Sequence, residues 1–376
     1  MSRLLYIVVI VAFLDTFIQL PIITPFSLQL GASYMLAGAI VAVYSLTNMV
    51  GNVVGGHWID TFGRKKMLLA GMFTVALILL LYPIVQNAWQ LFFVRFFHGL
   101  AGGVLIPAAF AYIGDRSTQM KSRGKTMAFT GASIGISAII GPAIGGAMAA
   151  RASMESVFIL VAILFVISFL VILFFIEESY YTTEKGKFNF LEFIPLIKHP
   201  LIILSSLAAF SLMVSNGTLA FALPLNVEEM GRTTAATGML LSTFGIVALI
   251  VFLTPLNLIY DKFSSIKLVM VGLLLIGAAM VILSFSTEFI VNFIAMVIYG
   301  FGFSFIFPSM NKIVAEASTE VDRGKAYGVF YAFFSLGVVV GSSLSGTIAG
   351  TLGLPFLVCA IIMFIATTII YFISKN

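Results

Sequence analysis

The chain has 376 residues, of which 61% are hydrophobic and 9% charged. A soluble domain carries roughly 25% charged residues, so polar surface is too scarce here to cover a core in water, and a bilayer is the solvent that fits. The net charge of +5 then reports membrane sidedness rather than nucleic-acid binding, and the lone Cys359 excludes an intrachain disulfide framework.

A membrane span needs about 20 apolar residues to cross a hydrocarbon core of about 30 Å. That rule predicts spans at 4–27, 34–57, 67–86, 89–113, 126–149 and 155–176, then at 201–227, 235–259, 266–285, 289–314, 325–349 and 354–373. All are expected to be helices, because lipid offers the backbone no hydrogen-bond partner. The first opens on Arg3 like a secretory leader, but Asp15 interrupts it and no small-x-small cleavage site follows, so it reads as a retained span. The polar stretch 177–200 separates six spans from six and reads as a linker, with a short surface helix around Phe188–Lys198 that Pro195 disfavours. All Lys and Arg except Arg95, Arg151 and Arg232 fall on one side of this scheme. The positive-inside rule therefore puts both termini in the cytoplasm.

The two sets of spans look like copies. Arg-Gly-Lys at 123–125 recurs at 323–325, Asp60 is matched by Asp261, Pro107 by Pro308, and "HGLAGG" (98–103) by "YGFGFS" (299–304). The offset stays at 200 or 201 residues through loops and helices alike. Six spans per copy preserve orientation, which makes a parallel repeat about an axis along the membrane normal. The expected fold is an all-α membrane protein of twelve transmembrane helices, in two parallel-repeat six-helix bundles at 1–176 and 201–376 joined by the linker 177–200.

These motifs resemble the major facilitator superfamily over essentially the whole chain. "GHWIDTFGRKK" (56–66) is similar to the superfamily's signature between helices 2 and 3, with Gly56, Asp60, Gly63, Arg64 and Lys65 in the matching places. "RFFHGLAGG" (95–103) resembles its helix 4 motif, and "GPAIGG" (141–146), with Gly141, Pro142, Gly145 and Gly146, the helix 5 motif of the antiporter branch. "PIITP" (21–25) resembles the end of helix 1 in drug:proton antiporters. Ala128 and Ser137 stand where the full helix 5 motif has glycines, and in the second loop copy Asn257 and "SSIK" (264–267) replace the signature residues. The resemblance implies a cytoplasmic gate in which Asp60 faces the N-terminus of a helix in the other half and Arg64 and Asp115 complete a charge relay; the alternative for Arg64 and Lys65 is a plain topology anchor. It implies close, sliding helix contacts for the helix 5 motif, for which ordinary tight packing is the competing reading.

Asp15 carries the functional reading. It lies ~16 Å along the first span from Leu4, near the midplane, where a charge costs at least ~2.5 kcal/mol. Gln19 follows one turn later on the same face. Arg95 on the fourth span is the expected counter-charge, either facing Asp15 or snorkelling outward, and His98 lies three residues on, as a packing donor or a proton relay. An acid that binds either a proton or a substrate couples their movements. The competing readings are a static buried pair and substrate binding without protons. Polar candidates for a central cavity, besides Asp15, are Gln19, Asn48, Asn52, Asn216, Tyr299 and Tyr331. One acid among apolar walls suits a lipophilic, cationic compound better than a sugar.

The expected function is proton-driven export of small amphiphilic compounds by a cell-membrane protein, monomeric and bacterial, whose partners are substrate, protons and lipid. A metabolite or sugar transporter of the same fold and a non-transporting membrane sensor are the alternatives. No P-loop, H-E-x-x-H or G-x-S-x-G stands in a suitable context, so no enzyme activity, metal or cofactor is expected. Glu177 and Glu178 sit at the linker with no constellation to serve.

Overall fold

The structure is a computed structural model that describes residues 2–119, 123–179, 194–318, 323–351 and 354–375; within these, the side chains of 2, 3, 5, 57, 60, 114–119, 123–132, 323–325, 350 and 351 lie outside the description. Among these residues the regular elements are all helical. In chain order they are α1 (Ser2–Ile18), α2 (Ile23–Gln29), α3 (Tyr34–Phe62), α4 (Arg64–Leu79), a 3₁₀ turn (Tyr82–Ile84), α5 (Ala88–Gln119), α6 (Arg123–Arg151) and α7 (Met154–Phe175). There follow α8 (Ile194–Lys198), α9 (Pro200–Glu229), α10 (Thr234–Leu253), a 3₁₀ turn (Pro255–Leu258), α11 (Ile259–Lys262), α12 (Ser265–Phe285), α13 (Phe289–Ala317), α14 (Arg323–Thr351) and α15 (Pro355–Ile373). Eleven of the described helices are long and apolar enough to cross a membrane, and the bent pair α1–α2 makes a twelfth.

Local chemistry explains the ends. Ser153 caps α7 by accepting from Ser156 N at 3.2 Å, and α9 and α15 open on prolines, where a missing N–H costs nothing. The first span differs from the straight helix expected over 4–27. It bends by 50° between Ile18 and Ile23. Pro21 lacks an N–H and disfavours helical geometry at Leu20; the Gln19 carbonyl instead accepts from Ile22 N at 3.1 Å and Ile23 N at 2.9 Å. The span expected over 235–259 stops at Leu253, because Pro255 cannot continue it; Thr254 Oγ1 accepts from Leu256 N at 3.4 Å in a new turn. Of the surface helix expected around Phe188–Lys198, α8 covers Ile194–Lys198 with Pro195 in its first turn; residues 188–193 lie outside the described residues.

The chain divides into two compact units. The first takes Met1–Ala32, Val43–Lys187 and Thr233–Met239, the second Ser33–Ala42, Phe188–Arg232 and Leu240–Asn376. Phe158, Phe165, Ile18 and Ile22 are fully buried in the first; Phe221, Phe244, Tyr299 and Phe330 in the second. Large apolar side chains such as Phe97, Ile163, Phe174, Leu253, Phe285 and Ile365 are more than half exposed. That arrangement suits a lipid solvent. Apolar burial does not drive helices together in lipid, so close van der Waals packing has to.

Candidate functional site

The polar centre of the first unit is assembled by α1, α3, α5 and the 3₁₀ turn after α4. Asp15, near the end of α1, is 2% exposed, Gln19 3%, Arg95 5% and His98 0%. Gln19 Nε2 donates to Asp15 Oδ1 at 2.6 Å, and Arg95 Nη1 donates to Gln19 Oε1, also at 2.6 Å. One amide thus bridges carboxylate and guanidinium. The other carboxylate oxygen, Oδ2, lies 3.0 Å from His98 Nε2, off the line of a straight hydrogen bond. His98 Nδ1 is 2.8 Å from the Tyr82 hydroxyl. The Arg95 guanidinium lies over the Tyr44 ring, 4.4 Å from its centroid, so Arg95 is turned into the protein rather than snorkelling outward. Such an array can hold a carboxylate in a dry interior and can pass a proton between oxygen and ring nitrogen, because each oxygen of Asp15 already faces a group able to donate.

Two stretches place this centre. Pro21 ends α1 one turn after Asp15, leaving Gln19 at the bend. On the other side α6 lies against α1 along Gly141 and Gly145: a Cβ at either would collide with backbone at Phe17–Ile18. Gly146 and the Pro142 carbonyl meet the start of α10 at Thr234 and Gly238, where Thr234 Oγ1 donates to Gly146 O at 3.0 Å. The helix 5 motif therefore packs on α1 within one turn of Asp15.

The remaining cavity candidates fall elsewhere. Asn48 Nδ2 donates to Gly99 O at 3.4 Å and Asn52 Nδ2 to Asn48 Oδ1 at 3.0 Å, tying α3 to α5. In the second unit Tyr299 is fully buried, with its hydroxyl 3.0 Å from Ser215 Oγ and Asn216 beside it. Tyr331 is 46% exposed in a cluster with Tyr327, Phe330 and Phe334.

A model of the Major Facilitator Superfamily matches residues 5–214 and again 205–376. The chain belongs to that superfamily. Multidrug resistance protein MdtG of Salmonella schwarzengrund (strain CVM19633) is 26% identical over 333 residues, covering 86% of this chain and 81% of that protein. Multidrug resistance protein 2 of Bacillus subtilis (strain 168) is 23% identical over 385 residues, covering 98% and 94%. Among solved structures, a point mutant of the nucleoside transporter NupG superposes with a TM-score of 0.82 at 14% identity, covering 99% of both chains. A bacterial homologue of the human lysosomal transporter Spinster, in an inward-facing and unoccupied conformation, gives 0.80 at 14% identity, covering 100% of this chain and 96% of that one. At such identity these two carry the fold alone. The protein is a multi-pass membrane transporter of the Major Facilitator Superfamily.

The superfamily's loop signature holds a contact that the sequence did not announce. Gly63 links α3 to α4 with φ +97°, a left-handed conformation that a side chain would strain. Glu178, 114 residues away in sequence, accepts from Arg64 N at 2.9 Å and from Lys65 N at 3.2 Å. An anion thus sits on the N-terminus of α4, where unpaired N–H groups and the helix dipole favour it. Lys65 Nζ donates to Leu173 O at 3.1 Å, and Tyr112 Oη to Glu177 O at 2.7 Å. Glu178, idle by sequence alone, therefore does have a constellation: it docks the end of the sixth span onto the loop signature, while Glu177 offers its main-chain oxygen to α5. Arg64 is buried and Gly56 half-buried; the side chains of Asp60 and Asp115 lie outside the described residues. Tyr82 and Tyr44 also escape the sequence. Nothing there distinguishes them from the other tyrosines of the chain, and only the fold brings them to His98 and Arg95.

Proposed function

We propose that the protein exports small amphiphilic compounds in exchange for protons, exposing the Asp15 centre in turn to each side of a bacterial plasma membrane. In this reading it works as a monomer with both termini in the cytoplasm. The observation that carries it is the buried array of Asp15, Gln19, Arg95 and His98 at a break in the first span. A charge at such depth costs at least ~2.5 kcal/mol; Gln19 holds one carboxylate oxygen and His98 stands 3.0 Å from the other. A proton on Asp15 removes the charge that Gln19 relays to Arg95; its departure restores that charge and opens a site for a cationic compound. The relatives named for multidrug resistance support the substrate class. The loop signature at Gly56–Lys65, with Asp60 and Asp115, serves as the cytoplasmic gate.

The test is uptake into proteoliposomes under an imposed pH gradient, with a fluorescent lipophilic cation as substrate. Wild-type protein accumulates the dye, and Asp15→Asn folds and inserts but shows no gradient-driven accumulation. Full accumulation by Asp15→Asn overturns the coupling. Accumulation of a sugar or nucleoside in place of the cation would move the protein to a metabolite transporter.

A further inference from the structure

Tyr82 stands at the edge of this centre with no part in the coupling as stated. It is fully buried in the 3₁₀ turn that ends the third span, and its ring is stacked on Phe158 at 4.0 Å and 13°. Its hydroxyl meets His98 Nδ1 at 2.8 Å, with the Arg95 guanidinium close by. The imidazole is held edge-on by Tyr44 at 5.1 Å and by Tyr82 at 5.7 Å. Its second nitrogen, Nε2, is buried and faces Asp15 Oδ2. Among the described residues, the titratable and charged groups that face His98 are therefore Asp15 from α1, Tyr44 from α3, Tyr82 from the turn and Arg95 from its own helix.

We propose that Tyr82 is a positioning residue that dictates which nitrogen of His98 carries the proton, and so whether Asp15 faces an N–H or a lone pair. This rests on the reading of Asp15 as the coupling acid. A neutral imidazole has one donor and one acceptor. Arg95 is donor-only and cannot receive the phenol hydrogen, whereas Nδ1 lies 2.8 Å from the phenol oxygen and can, so the hydrogen is directed to Nδ1. Nδ1 is then the acceptor and the hydrogen is on Nε2, 3.0 Å from the ionised carboxylate, which can only accept. When Asp15 takes up one proton on Oδ2, the acid donates to Nε2, the imidazole hydrogen moves to Nδ1, and the Tyr82 hydroxyl must turn to accept it. No heavy-atom bond changes: the two states differ by one proton, taken from water, and by the direction of the hydrogen-bond chain Tyr82–His98–Asp15. The second repeat offers a control, because the positions 200 and 201 residues after Tyr82 are Ile282 and Leu283, and no such chain is built there.

The chain has only three histidines, at positions 57, 98 and 199, so nitrogen NMR of ¹⁵N-histidine-labelled protein reads the tautomer directly, with the His98 signal assigned by its loss in His98→Gln. In wild-type protein at pH 8, His98 is expected as a single Nε2–H tautomer with an accepting Nδ1. In Tyr82→Phe, which keeps the stacked ring, that preference falls at least about fivefold, the worth of one neutral hydrogen bond. The pH midpoint of gradient-driven dye uptake moves by about 0.7 unit, the same fivefold change, while dye binding is unchanged. An Nδ1–H tautomer in the wild type overturns the proposal without need of any variant. So does a Tyr82→Phe protein with unaltered tautomer and pH midpoint. If instead Asp15→Asn accumulates dye fully while the wild-type tautomer is as expected, the coupling reading fails and the assignment of the His98 tautomer stands.

Discussion

Asp15 and His98 meet at 3.0 Å in the first unit, and Ser215 and Tyr299 meet at 3.0 Å in the second. The offsets are 200 and 201 residues, those of the internal repeat, so these are the same contact built twice. Around the first pair stand Gln19, Arg95, Tyr82 and Tyr44. Around the second, Ser345 Oγ donates to Thr218 Oγ1 at 3.1 Å, and Met296 occupies the position of Arg95. Both pairs join the first span of their repeat to the fourth, α1 to α5 and α9 to α13. The first pair is a carboxyl and an imidazole, the second an alcohol and a phenol. The repeat keeps the contact in both copies and places an acid in only one, as expected where a buried charge is costly.

Converting one unit to the other is the strongest way to break this comparison. The double variant Asp15→Ser, His98→Tyr copies the second unit into the first. It is expected to give a folded protein that unfolds cooperatively on heating and has no pH-driven uptake; retained uptake would mean that the ionisable pair is dispensable. A smaller effect is expected at the start of the third span. Glu178 caps α4, whereas its repeat equivalent α12 begins at Ser264–Ser265 without a side-chain cap. Glu178→Ala should cost about 1 kcal/mol of local stability. Hydrogen exchange should read this as amides 64–66 exchanging about fivefold faster, and unchanged exchange would show the cap to be idle. The smallest effect belongs to Tyr299→Phe. Ser215 Oγ keeps its bond to Leu212 O at 2.6 Å, so the loss should stay below about 1 kcal/mol in thermal unfolding, with the pH dependence of uptake unaltered. A displaced pH profile would make the second pair part of the coupling after all.

The architecture was legible because lipid imposes it: runs of about 20 apolar residues have one outcome in a bilayer, and the span boundaries follow from basic residues and prolines. Asp15, Arg95 and His98 were legible for a related reason, since a polar residue inside an apolar run stands out. What stayed hidden depends on tertiary approach. Charge alone makes Arg95 the direct partner of Asp15, yet the folded chain links the two through Gln19 and sets His98 against the carboxylate. Tyr82 looks like any tyrosine until the turn after α4 brings it to His98. Glu178 looks idle because its partners lie 114 residues earlier in the chain. The break in the first span was signalled by Pro21, but whether a proline bends a span or merely ends it is decided by where the freed carbonyls find donors, here at Gln19.

That residue has two duties. Its main-chain oxygen anchors the corner of the first span, and its side-chain amide ties the acid to the guanidinium. The carboxylate and the corner between α1 and α2 are therefore fastened at one residue, so neither can be displaced without straining the other.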